Sequence, residues 1–186
     1  MNTKFSQERD FSSHARKAEN FYIGNGGFVL TDKDQKRLSR YIDSYYSSYF
    51  QMDAIYNEWA SHHKIQDTTL FVLNEISKHE YCTQRSLHAC LGYSKQTLSS
   101  SLRRLEQEGI IIRQRTVHDQ RSNLIRLTPK GKIYADRLLS RLHKAEIRAF
   151  QLLSPDECEQ VLSAFHKLTD ALANSIRADM EAPAAD

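Results

Sequence analysis

The stretch SKQTLSSSLRRLEQEGIIIRQRTVHDQRSNLIRLTPKG, residues 94–131, decides how the chain is read. Ser94 is of a type that caps helices, and Gly109 of a type that ends them. Between them Leu98, Leu102 and Leu105 recur at 4-3 spacing, which puts them on one buried face. Gln96, Ser100 and Arg103 project on the other side, with Thr97, Ser99 and Arg104 alongside. No acid occurs from Ser94 to Arg104, whereas solvated helix faces usually mix Glu with Lys. Small hydroxyls, an amide and arginines suit the major groove, where base edges offer donors and acceptors. Ser94 also leaves orphan N–H groups at the positive end of the helix dipole, which suits a phosphate. Beyond Gly109, the β-branched run Ile110-Ile111-Ile112 continues to Arg115 as a strand. His118 to Asn123 are turn-like, and Leu124 to Leu127 return as a second strand. Thr128-Pro129 then places a cap and a first-turn proline at a new helix.

Upstream of this stretch, Thr83 caps a helix through Leu91, and Gly92-Tyr93 makes the turn into Ser94. Tyr81-Cys82 reads as a short extended step. Thr68 or Thr69 is expected to cap an earlier helix that buries Leu70, Val72, Leu73 and Ile76. Helix, turn, helix, basic hairpin is the order of a winged helix-turn-helix. Farther upstream, Thr31 opens a long helix on which Leu38, Ile42, Tyr45, Tyr49, Met52, Tyr56 and Trp59 form a heptad-like seam. Downstream, Ile133, Leu138, Leu139, Leu142 and Ala149 mark the helix after Pro129. Ser154-Pro155-Asp156-Glu157 supplies a complete capping box. The final helix carries Val161, Leu162, Phe165, Leu168, Leu172 and Ile176 on one face. Residues 1–30 show no sustained period and read as an arm, with Ile23 to Gly27 as a flexible turn.

Charge sharpens this reading. The chain has a net charge of +3, but residues 83–132 hold ten Lys or Arg against Glu106, Glu108 and Asp119, a net of +7. The remainder holds sixteen basic and twenty acidic side chains, a net of −4. Such asymmetry is the footprint of a polyanion partner. A guanidinium on a narrow turn, as at Arg121, can enter a minor groove too tight for a helix. Asp119 beside it favours a fixed pose.

The run Asp119-Gln120-Arg121-Ser122-Asn123-Leu124-Ile125-Arg126-Leu127-Thr128-Pro129-Lys130-Gly131 resembles the wing signature of the multiple antibiotic resistance regulator (MarR) family. The passage Leu105 to Ile111 with Arg113 is similar to the same family's helix-to-strand junction. In element order the resemblance covers roughly residues 31–180. It implies an obligate dimer with intertwined first and last helices, and a DNA site with two-fold symmetry. It also implies that Arg121 enters the minor groove while Asp119 braces it. Thr116 departs from the pattern, standing where many members carry an acid, and the N-terminal arm is longer than usual. Clefts in this family commonly accept aromatic or phenolic acids, and Tyr45, Tyr49, Tyr56 and Trp59 are candidates to line one. Simple packing of the dimer seam is the alternative for those rings.

Other chemistries are poorly served. Cys82, Cys90 and Cys158 lack CxxC spacing, His62 and His63 diverge on a helix, and so do His88 and Cys90. Residues 31–67 contain no cysteine, which argues against the thiol switch of the peroxide-sensing branch. No Gly-rich phosphate loop, GxSxG elbow or catalytic carboxylate pair is present, so an enzyme is not expected. Neither a secretory signal in Met1 to Phe21 nor an apolar run of about 18 residues is read, so a cytoplasmic protein is expected.

The expectation is therefore a mostly α fold with a small β-hairpin wing. It comprises an arm over 1–30, dimerisation helices over 31–67 and 132–181, and a winged helix-turn-helix over 68–131. Expected partners are double-stranded DNA, a second copy of the chain and a small aromatic effector, with no cofactor and no metal. Candidate DNA contacts are Arg85, Ser94, Lys95, Gln96, Thr97, Ser99, Ser100, Arg103, Arg104, Arg113, Arg115, Asp119 and Arg121.

Overall fold

A computed structural model describes residues 30–115 and 123–182. The elements run α1 (Asp32–His62), α2 (Asp67–Ser77), β1 (Cys82–Thr83), α3 (Gln84–Leu91), α4 (Lys95–Gln107), β2 (Ile111–Arg115), β3 (Asn123–Leu127), α5 (Pro129–Phe150) and α6 (Pro155–Glu181). The chain divides into two compact units, residues 1–55 and 56–186.

In the first unit the described part of α1 begins with Asp34 N–H donating to Thr31 Oγ1 at 3.2 Å. Leu38, Ile42, Tyr49 and Met52 are exposed and Tyr45 is half-buried. Their rings meet along the helix, Tyr45 stacking on Tyr49 with centroids 6.3 Å apart.

The second unit has its core where the apolar periods predict it. Leu70 and Leu73 of α2, Leu87 of α3, and Leu98 and Leu102 of α4 are fully buried together, with Ile111 and Ile125 closing the core from the strands. Each such side chain contributes about 1.5–3 kcal/mol relative to exposure. The hairpin is one part of a three-stranded antiparallel sheet ordered β1-β3-β2. Cys82 pairs with Ile125 and Thr83 with Leu124, while Arg113 faces Ile125 from the other side. The extended step expected at Tyr81-Cys82 is found one residue on, as a third strand at Cys82–Thr83 too short for its periodicity to be read from sequence.

Caps fall at Thr83, Ser94, Thr128 and Ser154, each hydroxyl accepting the N–H three residues on. The start of α2 differs from expectation. Gln66 is its N-cap with no side-chain bond. The Thr69 hydroxyl is buried 3.4 Å from that of Ser101, and the Thr68 hydroxyl reaches only Asp67 Oδ1 at 3.4 Å. Gly92 and Gly109 end α3 and α4 with φ of +69° and +68°, a left-handed conformation that a Cβ disfavours. Of the predicted seam, Tyr56 and Trp59 pack against the core of this second unit. By contrast α6 contains no buried residue. Among the described residues no helix is long and apolar enough to cross a membrane.

Candidate nucleic-acid interface

The buried stripe of α4, Leu98, Ser101, Leu102 and Leu105, fixes which side of that helix is left over. Lys95, Gln96, Ser100, Arg103 and Arg104 are exposed on it, with Thr97 and Ser99 half-buried. Ser94 at the N-cap accepts Thr97 N–H at 3.1 Å, and its hydroxyl lies 2.8 Å from that of Thr97. Ser100 donates to the Thr97 carbonyl at 2.9 Å. Arg104 donates through Nε to Glu108 Oε1 at 3.0 Å, an exposed i,i+4 pair worth about 0.3–0.5 kcal/mol. Arg103 has no such carboxylate among the described residues.

Two side chains hold α3 against α4. Gln84 Nε2 donates to the Lys95 carbonyl at 3.1 Å, and His88 Nδ1 donates to the Tyr93 carbonyl at 2.6 Å. A carbonyl only accepts, so the His88 proton sits on Nδ1. Both ties need tertiary structure to be seen. Arg85 is exposed on α3. An open concavity of about 530 Å³ adjoins the outer face of α4, lined by Ser61, Gln66 and Asp67 with Gln96, Thr97 and Ser100. It extends the polar face beyond the residues singled out from sequence.

The strands divide the remaining candidates. Arg115 is exposed at the end of β2. Arg113 is turned onto Glu106 of α4, Nε lying 2.9 Å from Oε2 with Nη2 on the same oxygen. Asp119 and Arg121, with Thr116, lie outside the described residues. Lys130 Nζ donates to the Glu108 carbonyl at 2.7 Å, tying α5 to the end of α4.

Tyr45 and Tyr49 belong to the first unit, while Tyr56 and Trp59 belong to the second. Tyr56 donates its hydroxyl to Glu146 Oε1 at 2.9 Å and its ring tilts onto Phe71, centroids 5.3 Å apart. Burial, with that carboxylate, pushes the Tyr56 phenol up to about 12. Trp59 stacks on His63 at 3.9 Å.

The thiols of Cys82 and Cys90 are not activated. Burial, with Glu75, pushes Cys82 up to about 11, and desolvation and the same carboxylate raise Cys90. Among the described residues no group of three His, Cys, Asp or Glu is placed to hold a metal.

Three packed helices, α2 to α4, the last with a basic polar outer face, together with a three-stranded antiparallel sheet, define a winged helix-turn-helix. The MarR family profile matches residues 63–122 of the chain. The organic hydroperoxide resistance transcriptional regulator of Bacillus subtilis is 30% identical over 95 residues, 51% of this chain and 63% of that regulator. The chain thus spans under two thirds of that relative's length. Among solved structures, the Neisseria meningitidis MarR family regulator NMB1585 superposes with a TM-score of 0.67 at 20% identity, covering 74% of this chain and 97% of that one. The Staphylococcus aureus MepR-DNA complex superposes with a TM-score of 0.60 at 25% identity, covering 68% and 97%.

Proposed function

We propose that the chain is a dimeric, sequence-specific transcriptional regulator, a ligand-responsive repressor of a pseudo-palindromic operator. One observation carries this reading: the outer face of α4 presents Lys95, Gln96, Ser100, Arg103 and Arg104 to solvent and holds no acid through residue 105. The solved MepR complex adds support, since a relative of the same fold is recorded with DNA bound. In this reading residues 68–131 bind DNA, α4 enters the major groove and the wing reaches the minor groove with Arg121.

Dimerisation is assigned to residues 31–67 and 132–181. On α6, Val161 is 57% exposed, Phe165 47% and Ile176 56%, a stripe that a soluble protomer does not leave bare. A second copy supplies its cover, because two-fold closure pairs the same patch with itself. The two recognition helices then sit about one DNA turn apart, roughly 34 Å.

Selection from a random duplex pool tests the reading, with an inverted repeat as the expected product. Arg103→Ala should cost about 1–3 kcal/mol and relax preference within the half-sites. Arg121→Ala should weaken binding most at A·T-rich flanks. If both variants footprint like wild type, the contacts are misassigned.

The effector in this reading is a small aromatic acid. Rings with hydroxyl tips supply stacking and a hydrogen bond, which suits that class. Release of DNA requires the effector to favour a dimer whose recognition helices are wrongly spaced, and about 1.4 kcal/mol of preference shifts affinity tenfold. A gel-shift titration with phenolic and aromatic acids, repeated on Tyr49→Phe and Tyr56→Phe, checks it. Variants that respond identically to wild type would assign these rings to packing alone.

A further inference from the structure

Arg113 is a natural candidate for a DNA contact by composition, yet its position gives it other work. Strand alternation puts it on the same sheet face as Ile111, and it faces Ile125 across the ladder, both of which are buried. Its guanidinium therefore lies against α4, where Nε and Nη2 converge on Glu106 Oε2. The side chains are 23% and 39% exposed, so the pair is less screened than the surface pair of Arg104 and Glu108.

Several other bonds hold the turn between α4 and β2. Ile110 N–H donates to the Leu105 carbonyl at 2.9 Å, Thr128 Oγ1 to that of Gly109 at 2.7 Å, and Lys130 Nζ to that of Glu108 at 2.7 Å. None of these turn bonds reaches beyond Ile110. The Glu106–Arg113 pair reaches the middle of the strand, beyond the turn, and so controls the angle at which the strand leaves the helix. A wing and a recognition helix that must enter adjacent grooves need that angle fixed.

We propose that Glu106 and Arg113 are positioning residues, a brace that sets the wing against α4, and that Arg113 serves DNA binding through Glu106 without touching DNA. This rests on the DNA-binding reading. The test uses a duplex enriched by the wild-type chain from a random pool. Affinity and hydroxyl-radical protection are then measured for Glu106→Gln, Arg113→Glu and the double swap Glu106→Arg/Arg113→Glu.

Glu106→Gln removes a negative charge, which by simple attraction to a polyanion would tighten binding. The brace requires the opposite, with protection lost at the flanks and kept in the half-sites. Arg113→Glu should weaken binding about tenfold or more. The double swap, which restores both net charge and pairing, should recover flank protection and come within about threefold of wild type.

A double swap as weak as Arg113→Glu overturns the brace and makes Arg113 a direct contact. So does Glu106→Gln with intact flanks. Thermal midpoints are measured in parallel, and if Arg113→Glu does not fold, the near-isosteric Glu106→Gln decides alone. Recovery of no duplex from the pool overturns the DNA-binding reading, and this role with it.

Discussion

Gly131→Ala is expected to destabilise the winged unit severely, although alanine is the better helix former by about 1 kcal/mol. Position 131 lies in the first turn of α5, where that helix passes close to the backbone of Ile110. A Cβ there would sit 1.8 Å from the Ile110 carbonyl oxygen and 2.7 Å from its carbon. These are backbone atoms, and they are held in place. The Ile110 carbonyl accepts Thr128 N–H at 2.9 Å, and Ile110 N–H is tied to Leu105. Relief requires α5 to move away from Ile110, which strains that bond from Thr128 N–H at the start of the helix. Overpacking typically costs about 1–3 kcal/mol, and a clash with fixed backbone belongs at the upper end of that range. Each kcal/mol lowers the thermal midpoint by roughly 2–4 °C in a chain of this size. Thermal melts of wild type, Gly131→Ala and the exposed neighbour Lys132→Ala measure it. An unchanged midpoint for Gly131→Ala would mean that α5 does not approach Ile110 as described.

A second large effect is expected from Leu168→Asp. Leu168 sits within the exposed apolar stripe of α6 and is itself 42% exposed in the single chain. In a protomer that stayed alone, a carboxylate there would be harmless. In a two-fold interface the charge enters twice, and burying an unpaired carboxylate costs several kcal/mol before it is protonated. Dimerisation should weaken by at least about 100-fold, a shift of roughly 2.7 kcal/mol. Equilibrium sedimentation at micromolar concentration should return a dimer for wild type and a monomer for the variant. Lys167→Ala, on the same turn but off the stripe, should remain dimeric. A monomeric wild type, or a dimeric Leu168→Asp, removes α6 from the interface.

What could be read from sequence was what depends on neighbours in the chain. Thr83, Ser94, Thr128 and Ser154 each cap a helix through a bond to the residue three positions on, so residue type and spacing suffice to find them. The same holds for Leu98, Leu102 and Leu105, whose spacing shows which face of α4 is free.

Features that depend on distant partners were not legible. Glu106 carries no local mark of its pairing with Arg113. Thr69 resembles a cap, yet its hydroxyl is claimed by Ser101 from another helix. Two residues of β1 have no period to detect and owe their strand to β3. The seam of α1 read as one continuous face, but Tyr56 and Trp59 are taken up by the second unit's core. Periodicity says that a face is buried without saying against what.

The lack of any buried residue on α6 also bears on turnover. A helix that finds no cover within its own chain is held by mass action, and its free energy of unfolding rises with the logarithm of partner concentration. Scarce copies therefore spend more time with this segment open, and an open segment is what proteases and chaperones engage. On the dimeric reading proposed above, copies that fail to pair would be removed faster than those that do. The quantity of regulator and its lifetime would then be linked, with a floor beneath which stray single chains do not accumulate.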